Sequence, residues 1–304
     1  MDKRCGLSFS CYSSCIAKML QEKGIELDEI ELLKSKYLLK LNCNLESDGI
    51  YSDIEHMVND VLIQDKVEVN DIYINNFQQL EHIFRLHGGV VLNLDCNQLE
   101  YSHIFKNVKS KQSRHYVYIE DIFRDNIKIL DFYIPETPVT TFEGCIKMNF
   151  AKEKYQIKVL DTSTFTYNHT NENNLICKMI EEYFESIGNG VFEKCKRNII
   201  DAQKMYSKNG QVLYEMSTAL SVSGTIASRK IFYYLIKNNL YIPERIKNMV
   251  RDFALKYNCL RLLFLKTYIR PSVENLGNIN LLLSDIKKKE MEIYNCIYSV
   301  LNVL

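Results

Sequence analysis

The run Cys11-Tyr12-Ser13-Ser14-Cys15-Ile16-Ala17-Lys18-Met19-Leu20 decides how the first half of this chain is read. Residues 11–23 read as a helix, with Ser10 or Ser13 available near its start as a cap and Gly24 at its end. A thiolate at the first turn of a helix faces the positive end of the helix dipole, which stabilises it. The same turn presents backbone N–H groups that can receive an oxyanion. A helix opened by Cys11 therefore offers both a nucleophile and part of the environment that its chemistry needs.

Working outward, the period changes after Gly88-Gly89. Val90-Val91-Leu92-Asn93-Leu94 reads as a short buried strand. Residues 115–122 and 126–133 form two β-rich segments around Arg124-Asp125-Asn126, a hairpin turn. Segments 145–150 and 155–160 add further strands, and 50–62 and 76–87 are helix candidates. Side chains alternate along a strand, so His115, Val117 and Ile119 share a face, as do Ile127, Ile129 and Asp131. If Val117 lies opposite Asp131, then His115 is the diagonal neighbour of that carboxylate, about 7–8 Å away along the backbone and within side-chain reach. A slip of one residue would turn Asp131 to the other face. In the favourable register Asp131 orients His115, and His115 exchanges a proton with Cys11.

A cysteine that opens a helix, followed by Cys15-Ile16-Ala17 and Met19-Leu20, then a strand beginning with His115 and an acid sixteen residues later, resembles the papain-like cysteine peptidases that process bacteriocin leaders. The resemblance covers residues 1–160. It implies a papain-like α+β fold, an N-terminal helix packed on an antiparallel sheet, with Cys11, His115 and Asp131 as the catalytic set and Cys15 inside the helix. In such enzymes a glutamine six residues before the nucleophile completes the oxyanion hole. This chain has Cys5 there, which leaves Ser8, Ser10 or the Cys11 backbone N–H to serve. Losing one such donor typically costs about 10²–10³ in rate, a loss that an activated thioester tolerates better than a peptide bond does.

Beyond a polar linker at 161–174 the pattern is helical, in a domain spanning 175–304. Amphipathic faces recur in 191–206, 211–222, 225–238, 243–268 and 275–303, with Pro243 and Pro271 at helix starts or breaks. A papain-like domain with a helical extension is similar to the amide-forming acyltransferases of natural-product pathways. That likeness implies an acyltransferase that takes an acyl group from the thioester of an acyl carrier protein and passes it to a primary amine. It further implies a 4-hydroxybenzoyl-oligo-β-alanyl donor and 1,3-diaminopropane as acceptor, with no cofactor beyond the carrier's phosphopantetheine. The alternative is a cysteine peptidase that cleaves a leader or small peptide.

Composition sets the remaining bounds. Of 304 residues 46% are apolar and 25% charged, with no low-complexity tract, as in a folded globular protein. Lys+Arg and Asp+Glu both total 38, so overall charge argues for neither a nucleic-acid nor a membrane partner. Met1-Asp2-Lys3-Arg4 begins no signal peptide, and a cytoplasmic location is the expectation. The ten cysteines are scattered without any Cys-x-x-Cys pair, which excludes the usual zinc spacings, and most read as small buried hydrophobes. Residues 226–270 carry ten Lys/Arg (Arg229, Lys230, Lys237, Arg245, Lys247, Arg251, Lys256, Arg261, Lys266 and Arg270) against Glu244 and Asp252. That set is either a solvated helix face or a dock for an acidic carrier protein. Residues 44–72 carry eight acids against Lys66, a feature that could attract a polyamine.

Overall fold

A computed structural model describes residues 10–43, 50–95, 98–99, 101, 114–123, 126–132, 142–150, 154–168, 170–204, 211–222 and 224–302. The fold is α+β. It divides into two compact units, Met1–Leu32 with Val58–Asn168 and Leu33–Met57 with His169–Leu304. Residues 33–57 thus group with the helical half, although the sequence places them inside a 1–160 domain.

The first unit holds α1 (Cys11–Glu22), α2 (Glu29–Leu32), most of α3 (Ile54–Gln64), β1 (Glu68–Ile74), α4 (Phe77–His87), β2 (Val90–Asp95), β3 (Arg114–Phe123), β4 (Asn126–Asp131), β5 (Phe142–Lys147) and β6 (Tyr155–Asp161). The strands form one antiparallel sheet in the order β1-β6-β2-β3-β4-β5. Both faces of β3 are covered, because Tyr116, Val117, Tyr118 and Ile119 are all buried. Val117 and Ile119 join Leu92, Ile127, Ile129 and Ile157 in an apolar core that also takes Leu80, Phe77 and Phe84 of α4. Tyr116 and Tyr118 point the other way, toward α1: the Tyr12 and Tyr116 rings lie 4.9 Å apart, and Tyr118 Oη donates to Glu22. Gly89 is required beneath Tyr118, since a Cβ there would fall 1.6 Å from the phenol oxygen.

The α1 helix forms because Tyr12, Cys15, Ile16, Met19 and Leu20 recur on one buried stripe. Ser10 is its N-cap, with Oγ accepting from the Ser13 N–H at 3.0 Å. The helix closes on Gly24 at φ 77°, where Gly24 N–H donates to Gln21 O and Ile25 N–H to Leu20 O, a Schellman pair.

Two elements were not legible in the sequence. The α2 helix has only four residues, and β1 is an edge strand whose polar, exposed positions leave little apolar alternation. The remaining elements fall within a few residues of their expected limits. The turn residues Arg124 and Asp125 lie outside the described residues.

The second unit contains α5 (Glu172–Gly188), α6 (Val191–Lys204), α7 (Gln211–Val222), α8 (Thr225–Ile236), α9 (Glu244–Ile269) and α10 (Val273–Leu301), together with residues 33–57. Pro243 is the N-cap position of α9, and the Ser272 hydroxyl caps α10 by accepting from Asn275 N–H at 3.0 Å. Its interior holds a buried ion pair, Arg229 with Glu290, at 2.9 Å. The segment 161–174 is less free than a linker. Thr166 N–H donates to Asp65 O, and Asn168 N–H to the buried Asp65 carboxylate, each at 2.9 Å.

Candidate active site

The site depends on one irregularity in the β3–β4 hairpin. From the turn, Phe123 pairs with Asn126, Ile122 with Ile127 and Asp121 with Lys128. Continued unbroken, that register would place Asp131 opposite Tyr118, on the face away from His115. The ladder instead shifts between Ile119 and Asp121, so that Ile119 pairs with Ile129 and Tyr118 with Leu130. Glu120 is the extra residue of a β-bulge. One step further along the shifted register, Val117 stands opposite Asp131, the arrangement that the sequence argument requires. The hairpin turn alone would have given the wrong face, and the bulge corrects it.

His115 Nε2 and Asp131 Oδ1 are 2.9 Å apart, with the histidine 3% and the aspartate 0% exposed. The second carboxylate oxygen accepts from Tyr101 Oη at 2.6 Å, and the Tyr101 ring stacks on Phe142 at 4.0 Å. Tyr101 is one of twenty tyrosines, and nothing in its local sequence marks it. It holds the carboxylate that holds the histidine. We expect Tyr101→Phe to lower kcat/KM roughly tenfold, since a hydrogen bond to a charged group contributes about 1.5–3 kcal/mol. Alkylation of Cys11 by iodoacetamide should persist in that variant, which separates loss of positioning from loss of the nucleophile.

Cys11 is the first residue of α1, is partly exposed, and lies near enough to His115 to perturb its ring. Asp131 occupies Nε2, which leaves Nδ1 as the other ring nitrogen. Burial opposes charge on His115, but the neighbouring Cys11 sulfur and the Asp131 hydrogen bond outweigh it and raise its pKa to about 10. At neutral pH the ring is therefore an imidazolium. Its interaction with the Asp131 carboxylate favours the folded state fully below the ordinary histidine pKa, about 6.5, and that contribution is lost as pH rises through about 10.

The neighbouring groups have other duties. Cys15 is fully buried, with Sγ 3.6 Å from Tyr116 O, and burial followed by the Cys11 charge pushes its thiol well up. It is a packing residue. Ser10, one of the residues considered for the oxyanion hole, is committed to the cap: its oxygen engages both the Ser13 N–H and the Ser13 hydroxyl at 2.8 Å. Glu29 anchors the same turn, accepting from Ser10 N–H at 3.0 Å and from Ser13 Oγ. Cys5 and Ser8 lie outside the described residues. Among the described residues the Cys11 N–H has no acceptor, as is usual for the first N–H groups of a helix.

The other described histidines stand apart from this set, and His169 lies outside the described residues. His56 packs on Tyr37, His82 is exposed and His87 ends α4, while His103 lies outside the described residues. Among the described residues no cluster of His, Cys, Asp and Glu could hold a metal ion, and no helix is long and apolar enough to cross a membrane.

The charged stretches are less available than their sequence suggests. Arg229 is fully buried on Glu290, Lys247 is buried 3.7 Å from Glu244, and Lys256 pairs with Asp285 at 2.8 Å. Arg245, Lys266 and Arg270 are exposed and make no ion pair among the described residues. Of the acidic stretch, Asp65 is buried and Asp71 pairs with Lys158 at 2.9 Å.

No family model matches the chain, and no curated protein is significantly similar to it.

Proposed function

We propose that this protein is a papain-like, amide-forming acyltransferase. It moves an acyl group from an acyl-carrier-protein thioester through Cys11 to a primary amine. One observation carries the reading: Cys11 at a helix start, beside a buried His115 that is held by a buried Asp131.

The Cys11 thiolate attacks the thioester carbonyl, and the oxyanion that forms meets the Cys11 backbone N–H. Collapse breaks the carbonyl–sulfur bond of the donor, and the His115 imidazolium protonates the departing phosphopantetheine thiolate. His115, now neutral, takes a proton from the amine as its nitrogen bonds to the acyl carbon. The second tetrahedral intermediate expels the Cys11 thiolate and leaves an amide. The thioester supplies the activation, so the cycle balances without ATP.

Burial of the histidine and the acid supports aminolysis over hydrolysis, because a site that limits water around the general base favours a bound amine as second nucleophile. The exposed cations Arg245, Lys266 and Arg270 suit an acidic carrier. The acceptor class, a primary amine such as 1,3-diaminopropane, follows from resemblance to the amide-forming enzymes.

Product analysis tests the reading. With an acyl carrier thioester and a millimolar diamine, amide should exceed free acid at least about tenfold, a difference of about 1.4 kcal/mol between the two barriers. Free acid as the main product at every amine concentration would assign the site to a hydrolase or peptidase instead.

A further inference from the structure

Cys43 and Cys195 face each other in the helical unit. Residues 40–43 are laid along α5: Lys40 Nζ is 2.7 Å from Glu182 Oε2, and Leu41 N–H donates to Ser186 Oγ at 3.0 Å. Asn42 and Tyr51 then pair as a β-bridge, at 2.8 and 3.0 Å, which sets Cys43 beside Ile50 on the two arms. Both arms meet α6. The Ile50 backbone lies near Cys195, and Asn198, one turn beyond Cys195 on the same helix face, donates from Nδ2 to Cys43 Sγ at 3.7 Å. That contact brings the Cys43 thiol beside Cys195, whose titration it influences most. Neither is in a disulfide; Cys43 is partly exposed and Cys195 is fully buried.

From this geometry we infer that Cys43 and Cys195 form a dithiol redox site, closed to an intramolecular disulfide by a low-molecular-weight disulfide such as oxidised glutathione. The site is independent of the acyl chemistry at Cys11. Cys43, the accessible member, attacks one glutathione sulfur as thiolate and releases one glutathione. Cys195 then loses its proton and attacks the Cys43 sulfur, expelling the second glutathione, which takes up that proton. The two protein thiols lose two electrons in all, and the glutathione disulfide gains them. The order follows from the surroundings: Cys43 is partly exposed and Cys195 is fully buried, and the neighbouring Cys43 and burial push the Cys195 thiol well up. Closure would staple the bridged pair Asn42 and Tyr51 to α6 and tie together positions roughly 150 residues apart, a large loss of freedom for the unfolded chain. In a reducing compartment such a bond is transient and responsive, as for redox-sensing pairs.

The test exposes reduced protein to oxidised glutathione, quenches with iodoacetamide, and maps the peptides by mass. The Cys43 and Cys195 peptides should appear as one linked species, with two fewer alkylations, and dithiothreitol should separate them. In Cys195→Ala, Cys43 should instead retain a stable glutathione adduct. In Cys43→Ser, Cys195 should stay unmodified. A Cys43 adduct as abundant in the unmodified sequence as in Cys195→Ala would overturn the inference, as would alkylation of both cysteines after oxidation. Because Cys11→Ala leaves this pair in place, the linked peptide should form equally well in that variant.

Discussion

Asp131→Asn is expected to reduce kcat by about 10³–10⁴-fold while leaving the fold intact. The amide replaces the carboxylate almost atom for atom, so the buried volume beside Tyr101 and Phe142 is kept. What changes is the partner of His115. A carboxylate accepts from Nε2–H, fixes the ring, and stabilises the imidazolium. An amide can offer its NH₂ to Nε2 instead and hold the wrong tautomer. The pH profile gives a second readout. With Asp131 in place the His115 pKa is about 10. Without that anion the ring loses its proton at lower pH, so the alkaline fall of kcat/KM should move to lower pH. An Asp131→Asn variant with nearly full kcat and an unmoved profile would remove Asp131 from the triad.

The second large effect concerns stability. Glu290→Ala is expected to destabilise the protein by about 3–5 kcal/mol, the usual result of leaving one member of a buried ion pair alone. Glu290 lies on α10 and accepts from Arg229 Nε of α8 at 2.9 Å, from Tyr257 of α9 at 2.9 Å and from Tyr294 at 3.2 Å. The Arg229 guanidinium also lies over the rings of Tyr183 and Tyr257, at 5.9 and 5.1 Å. Removing the carboxylate strands a fully buried cation and two phenols at once. At roughly 2–4 °C per kcal/mol for a chain of this class, the melting temperature should fall by about 10 °C. Replacing both partners, Arg229→Met with Glu290→Leu, should restore much of the loss, because an apolar pair leaves no charge to desolvate. If the single variant melts with the unaltered protein, the cluster is not what joins these helices.

How much of this was legible in the sequence depends on the residue. The α1 helix was, because Ser10, the apolar stripe and Gly24 each carry a local signal. The strand pairs of the hairpin were legible too, but their register was an assumption, and the decisive element is the bulge at Glu120. Its trace is present in hindsight: Val117 and Ile119 keep period two, and Ile122 then falls one residue out of step while still packing against the same core. Tyr101 left no trace, because a phenol that reaches a carboxylate thirty residues away is a matter of tertiary packing. The basic stretch from 226 to 270 shows the opposite error. Charge counted along a sequence treats Arg229, Lys247 and Lys256 alike with Arg245, whereas the fold buries or pairs the first three. Most of the scattered cysteines were read as buried packing residues; Cys15, Cys177 and Cys195 are buried, but Cys145, Cys259 and Cys296 are exposed, and the neighbourhood of Cys43 and Cys195 appears only when the chain is folded.

The central claim is that the Cys11 sulfur carries the acyl group. Intact-mass spectrometry after brief incubation with an acyl thioester, in the absence of amine, reads this directly. The account predicts a single acyl adduct on the unaltered protein, mapped to the peptide bearing Cys11, lost when a primary amine is added, and absent from Cys11→Ala. An adduct of equal yield on Cys11→Ala, or one mapped to Cys15, would contradict it.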